Sequence, residues 1–358
     1  MLYSWFLSLQ SEYSWLNVFR YITFRAMLAF LFSFTFVLVV QPFFISYLRK
    51  AGHRGQPIRN DGPKSHEIKK GTPTMGGLVV VLGVLVSILL LTDLTNAYIW
   101  LGLGIMVSLA ALGFVDDARK VFLQNSAGVS GPVKLIWQTS LALLVGYILF
   151  KLGFSTDLHV PFLKEFVIDL GWWFIPFVAL VIVGTSNAVN LTDGLDGLAI
   201  GPIMTVAVTY GFFAYLSGHE KFAEYLSIPY INGVGELTIF LSAIFAAGLG
   251  FLWYNTFPAQ VFMGDIGALS LGGVLGLIAV MVKQELVLIV AGGVFVLEAC
   301  SVIIQRYYFK LTKKRVFKMA PIHHHYELKG WAEPKIIVRF WIISIVLALI
   351  SLTTLKLR

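Results

Sequence analysis

Ten apolar runs, most of them 17–25 residues long and nearly free of charge, recur between Phe24 and Leu355. In hydrocarbon every backbone N–H and C=O must find its partner within the chain, so such runs become membrane-spanning helices or strands of a closed barrel. About 20 residues of helix cross a bilayer. Barrel strands would alternate apolar and polar residues, whereas these runs are continuous. The 358-residue chain is 58% hydrophobic and 13% charged, against about 25% charged in a soluble protein. The expected fold class is an all-α integral membrane protein with about ten transmembrane helices, forming one polytopic domain over residues 1–358. The spans run over 24–48, 75–91, 97–115, 133–150, 172–184, 195–216, 236–253, 266–282, 286–305 and 336–355. No basic start followed by a small-residue cleavage site precedes them, so no cleavable signal peptide is expected. The single cysteine, Cys300, lies inside a span and can form no internal disulfide.

The net charge is +8, and its distribution argues against nucleic acid as the partner. Of the 27 Lys and Arg, 18 fall in the connections that follow odd-numbered spans, counting Lys134 just past the second of these. Seven fall at the termini and in the remaining loops, and Arg25 and Arg339 lie within spans. Cytoplasmic loops carry the basic excess, so both termini are expected outside. The basic loops then face anionic headgroups of the inner leaflet.

This topology brings four polar stretches to the cytoplasmic face: Phe114-Val-Asp-Asp117, the stretch from Asn187 to Asp196, Gln260-Val-Phe-Met-Gly-Asp265 and Ala320-Pro-Ile-His-His-His-Tyr326. Five aspartates gather there: Asp116, Asp117, Asp193, Asp196 and Asp265. Converging carboxylates repel one another unless a cation lies among them, and hard oxygen ligands suit Mg²⁺ with substrate phosphates. Lys69, Lys70, Arg119, Lys120 and Lys134 ring the acids. Carboxylates, a metal and surrounding cations fit chemistry on a phosphate or diphosphate, and the apolar bundle fits a substrate with a lipid tail. No phosphate-binding glycine loop with lysine and no serine elbow is present.

Each motif also has a plain structural reading. A solvated helix end accounts for Asp116-Asp117, although two acids at a helix C-terminus oppose the macrodipole. Asp193 and Asp196 share a face if their segment is helical, and Asp193-Gly194 and Asp196-Gly197 also read as turns. Asn187 and Asn190 add hydrogen-bonding capacity that a loop does not need. Asp265 is an ordinary N-cap candidate, or a metal-phosphate seat at a helix start. His323, His324 and His325 point in different directions on any helix, so three in a row do not share one metal. They read as phosphate or sugar contacts. Lys313-Lys314-Arg315 reads as a topological anchor, and Glu298, mid-span, as a residue facing the bundle, where a charge needs a partner.

Taken together, these residues resemble one family, the phospho-N-acetylmuramoyl-pentapeptide transferases, within the polyprenyl-phosphate sugar-1-phosphate transferases. The resemblance covers nearly the whole chain. It rests on Arg59-Asn-Asp-Gly-Pro63, Gly71-Thr-Pro-Thr-Met-Gly-Gly77, Gly113-Phe-Val-Asp-Asp117, Asn187-Ala-Val-Asn-Leu-Thr-Asp-Gly-Leu-Asp-Gly197, Pro258-Ala-Gln-Val-Phe-Met-Gly-Asp265 and Met319-Ala-Pro-Ile-His-His-His-Tyr-Glu-Leu-Lys-Gly330. It implies Mg²⁺-dependent transfer of phospho-N-acetylmuramoyl-pentapeptide from UDP-N-acetylmuramoyl-pentapeptide to undecaprenyl phosphate, giving lipid I and UMP in peptidoglycan synthesis. It implies Asp265 as metal ligand and Asp116 and Asp117 as the acids that activate the lipid phosphate. Lys70, Asn187, Asn190, Asp193, Asp196, Asn255 and Phe262 would form the nucleotide pocket, with Phe262 stacked on uracil. His323, His324 and His325 would contact diphosphate or sugar. It further implies a homodimer in the bacterial cytoplasmic membrane and sensitivity to uridine-based antibiotics.

Two rivals stand beside this reading. A sister transferase would use UDP-N-acetylglucosamine, and the histidine block argues against it. A transporter of an anionic substrate would hold its site near the midplane, often between inverted repeats. The acids here cluster at one face, and no repeat is visible.

Overall fold

The computed structural model describes residues 1–50, 69, 71–122, 128–161, 163 and 166–356. Lys70 and the Arg59–Pro63 motif lie outside them. After the short helix α1 (Leu2–Ser8), the long helices are α2 (Ile22–Lys50), α3 (Gly77–Leu91), α4 (Ala97–Phe122), α5 (Gly131–Lys151), α6 (Phe174–Thr192) and α7 (Ile200–Ser217). A short α8 (Glu220–Leu226) follows, then α9 (Leu237–Asn255), α10 (Gly264–Met281), α11 (Val287–Ala291), α12 (Gly293–Thr312), α13 (Ile322–Glu327) and α14 (Glu333–Thr353). Strands β1 (Asp157–His159) and β2 (Val167–Asp169) pair antiparallel, Leu158 opposite Ile168, between α5 and α6.

Among the described residues, eight helices are long and apolar enough to cross a membrane. They are α2, α4, α5, α6, α7, α9, α10 and α14, in some cases with a flanking turn. The other two expected spans are also helical. The 15-residue α3 is short, and α12 carries Glu298, Arg306 and Lys310 along its length. The protein is thus a multi-pass, all-α membrane protein.

Several boundaries differ from the sequence reading, for one physical reason. An apolar run appears to stop at the first polar residue, but the helix continues where that side chain has a partner. The fifth span reaches Thr192 rather than residue 184. Asn187 there donates to Val183 O and Gln138 Oε1, and Thr192 donates to Ala188 O. Likewise α4 runs six residues past Asp116, to Phe122. Asp116 and Asp117 therefore lie inside the helix, not at its end, and the macrodipole argument against them weakens. The sixth span begins at Ile200 because 193–199 is a series of turns. The ninth expected span, over 286–305, is broken at Gly292 and resumes as α12.

At the centre stands α10, every residue of which is buried. It packs against α3, α4, α6 and α7. Gly113 lets α4 approach to backbone contact, since a Cβ there would lie 2.5 Å from the Asp265 carbonyl. The two ends of α10 carry opposite chemistry. Asp265 sits in its first turn and Lys283 just past its last, about 27 Å apart at 1.5 Å per residue. The Lys283 ammonium donates to the carbonyls of Ser155 and Asp157 beside the hairpin, and lies over the rings of Phe154 and Phe174. It pins the hairpin to the end of the bundle away from the aspartates.

At that same end Arg25 forms a two-pronged ion pair with Glu236, at 2.7 and 2.6 Å, and donates to Leu91 O. The Asp93 N–H also donates to Glu236. Because both partners are buried, Arg25→Met strands a carboxylate and is expected to cost about 3–5 kcal/mol. Thermal unfolding in detergent should show a marked drop in Tm for that variant. The double variant Arg25→Met/Glu236→Leu should recover most of it.

Candidate active site

Helix α4 presents Asp116 and Asp117 to the first turn of α10, which carries Asp265. One oxygen from each of the three carboxylates lies within 4.8 Å of the others, and all three residues are buried. Lys120, one turn beyond Asp116, reaches Asp116 Oδ2 at 2.6 Å and Asp265 Oδ1 at 3.3 Å. Lys134, on α5, reaches Asp116 Oδ1 at 2.8 Å and Asp265 Oδ2 at 2.5 Å. The Val129 N–H donates to Asp116 Oδ1 at 2.7 Å, and the Ile266 N–H points at Asp117 Oδ2 at 3.4 Å. Two ammonium groups therefore bridge Asp116 to Asp265, with the Asp117 carboxyl beside them.

Met263, not Asp265, occupies the N-cap position of α10, and Asp265 lies in its first turn. The chain enters through Gly264 with φ +75°, a conformation that favours glycine. A Cβ at Gly264 would overlap Asp117 Oδ2 and crowd Thr74 Oγ1. Glycine at this position is thus what allows the two acidic elements to close on each other.

Asp193 caps the end of α6 and accepts the Gly264 N–H. Desolvation, and then the nearby Asp265 and Asp196 carboxylates, push it up to about 7. Asp196 turns the other way. It takes Lys69 at 2.7 Å and the Ala259 N–H at 2.9 Å, and its own N–H donates to Glu333, which also holds Lys69 at 2.5 Å. The shared face expected of a helix over 193–196 does not form, because the segment is turns; the turn reading holds. Asn255 clamps this turn to the next loop, accepting the Gly197 N–H and donating to Val261 O. Phe262, partly buried, is fixed through its backbone: its N–H donates to Pro73 O and its carbonyl accepts the Gly76 N–H. The motifs at 71–77 and 258–265 are thereby joined.

The three histidines take different polar partners, although the rings of His323 and His324 lie only 4.1 Å apart, centroid to centroid. His323 is buried with Nδ1 3.1 Å from Glu298 Oε1. His324 Nδ1 lies 2.6 Å from Glu327. His325 Nδ1 accepts the Lys318 N–H, and desolvation, then Lys329 and Lys318, lower its basicity. Asn187 is engaged with Gln138 between α5 and α6, and Asn190 lies one turn further on, half-buried.

The structure thus gathers Asp116, Asp117, Asp193 and Asp265 around the start of α10, and Asp196, Asn255 and Phe262 around the adjoining loop. Sequence reasoning noted Lys120 and Lys134 only as part of a cationic ring, although Lys120 stands at i+4 from Asp116, a spacing that pairs on a helix. It missed Glu333 and Gln138, which come from distant helices with no local signal. For a divalent cation the donor set fits: three hard carboxylates in reach of one point, with no sulfur among them. The Lys120 and Lys134 ammonium groups sit among those oxygens.

The chain, a helical membrane bundle with clustered carboxylates and lysines at one end, belongs among the transferases: a model described as Glycosyl transferase family 4 matches residues 99–283. Among curated proteins, the phospho-N-acetylmuramoyl-pentapeptide-transferase of Syntrophus aciditrophicus is 55% identical over 360 residues, covering 100% of both chains. Those of Citrifermentans bemidjiense and Bartonella quintana are 55% and 53% identical, covering 100% and 99% of both chains. The chain belongs to the phospho-N-acetylmuramoyl-pentapeptide-transferase family.

Gly264→Ala adds strain at a positive φ and drives a methyl group into Asp117. It is expected to cut turnover by at least about 100-fold, the scale on which misplacement of about 1 Å acts. Turnover within threefold of the unaltered protein would mean that the contact between these two elements does not matter to the chemistry.

Proposed function

We propose that the protein transfers phospho-N-acetylmuramoyl-pentapeptide from UDP-N-acetylmuramoyl-pentapeptide to undecaprenyl phosphate, forming lipid I and releasing UMP. The observation that carries this reading is the Asp116–Asp117–Asp265 cluster with its two lysines, in a chain of over 50% identity to named transferases along its full length. The rest of the reading is that ten helices span the bacterial inner membrane, with both termini periplasmic and the site facing the cytoplasm. The basic loops beside the aspartates support that orientation. A homodimer and binding of uridine-based antibiotics at the nucleotide pocket belong to the same proposal, on the strength of the motif resemblance.

The chemistry follows from the charges. Lys120 and Lys134 face the donor's diphosphate and hold Asp116 and Asp265 in register. Asp116 and Asp117 orient and activate the acceptor's phosphate. Asp265, with the neighbouring carboxylates in reach, would hold Mg²⁺, which supplies positive charge to the diphosphate and makes UMP a better leaving group. An acceptor phosphate oxygen attacks the phosphorus bonded to the sugar, and the bond to the UMP oxygen breaks. Phe262 and the loop clamped by Asn255 and Asp196 receive the nucleotide, with Lys70, Asn187, Asn190 and Asp193 beside it. His324 and His325 contact the diphosphate or the sugar.

Purified protein with donor, polyprenyl phosphate and Mg²⁺ is expected to release UMP, and EDTA to stop it. Release from UDP-N-acetylglucosamine instead would move the protein to the sister chemistry. Asp265→Ala should abolish turnover in folded protein, and Phe262→Ala should chiefly weaken affinity for uridine nucleotides. Direct displacement inverts configuration at phosphorus. Retention in a chiral-phosphate experiment would establish a covalent aspartyl-phosphate in its place.

A further inference from the structure

Glu298 lies in α12, and its side chain is wholly buried. A carboxylate in such a place needs a partner. Its one ion-pair partner among the described residues is His323, whose side chain is equally buried, Nδ1 to Oε1 at 3.1 Å. That contact is an ion pair and not an aligned hydrogen bond, and Nε2, on the far edge of the ring, has no hydrogen-bond partner among the described residues either. It presses instead on Gly194, where an added Cβ would overlap Nε2 and meet Cε1 at 2.8 Å. Gly194 follows Asp193, whose carboxyl accepts the Gly264 N–H at the start of α10. A small apolar core packs the same elements together: Leu195 and Leu198 of the turn, Val294 of α12, and Ile336 and Ile337 of α14, with Ile322 against them.

We propose that Glu298 and His323 are positioning residues for the transfer: Glu298 holds the His323 ring by the ion-pair contact at Nδ1, and the opposite ring edge sets the Asp193–Gly194 turn. The inference rests on the proposed function in one respect, that Asp193 borders the nucleotide pocket. Three contacts in series carry it, from carboxylate to ring, from ring to turn, and from Asp193 to α10. Nothing larger than glycine fits at the second contact. A buried residue retained only for folding would need no ring edge against the one turn that bears Asp193. On the proposed function the acceptor's lipid phosphate meets Asp116 and Asp117 of α4, a helix that none of these three contacts includes, so the device acts on donor binding and leaves acceptor binding alone.

The test compares Glu298→Leu, Glu298→Gln and Gly194→Ala. Glu298→Leu is expected to raise KM for the nucleotide-sugar donor about 10–100-fold, the range for residues that orient a site from behind. KM for the polyprenyl phosphate should stay within about threefold, because that substrate touches none of these contacts. Glu298→Gln keeps the side-chain shape against Nδ1 without its charge, and its donor KM should lie between those of the unaltered protein and Glu298→Leu. Gly194→Ala, in a turn rather than a buried helix, should reproduce the defect, and Glu298→Leu/Gly194→Ala should be no worse than either alone, since both break one chain. Ring ¹⁵N shifts of His323, assigned by their loss in His323→Gln, should change in Glu298→Leu. That signal is read without turnover, so it tests the pairing even if the proposed reaction fails. Equal effects on donor and acceptor KM, additive losses, or an unchanged ring signal in Glu298→Leu would each overturn the proposal.

Discussion

The structure depends on keeping three carboxylates together in a place where water is scarce. Charges of one sign at such distances repel strongly in a low dielectric, and the fold answers with two lysines from two helices. Lys120 and Lys134 each bridge Asp116 and Asp265. These bridges tie α4, α5 and α10 at one end. At the other end, Arg25 with Glu236 and Lys283 with the hairpin carbonyls do the corresponding work. Between the two polar ends α10 is buried throughout, so little but packing holds the middle.

Packing in that middle is close because small residues permit it. Gly113 brings the α4 backbone against the first turn of α10, and this approach is what sets Asp116 and Asp117 beside Asp265. The chemistry of the site is therefore written partly in residues without functional groups. A methyl group at Gly113 or Gly264 meets backbone or a carboxylate, neither of which can step aside.

Much of this was legible in the sequence. Apolar runs marked the class of fold, and aspartates at the ends of runs marked the end of the bundle where the candidate site gathers. Helix continuation past Gly184 and Val115 was not legible, because it depends on partners such as Gln138 for Asn187 that only the folded bundle supplies. The role of Asn255 as a clamp between two loops, and the pairing of Glu298 with His323 across the chain, were hidden for the same reason. Glu298 could be read as needing a partner, but not which one. The Asp193 to Asp196 spacing suggested one helical face, and the glycines after each aspartate decided for turns.

The length of α10 has a consequence for how substrate is counted. Its 18 residues span about 27 Å, close to the roughly 30 Å of a bilayer's hydrocarbon core, so in the proposed orientation Asp265 at its start lies at the depth of lipid headgroups. A phosphate on a long isoprenoid chain travels at that depth and need not rise from the membrane to meet the carboxylates. For such a substrate the governing concentration is a surface density, molecules per unit area of leaflet. Diluting the protein with more lipid slows encounter even at a fixed amount of substrate in the tube, while the water-borne partner obeys ordinary bulk concentration.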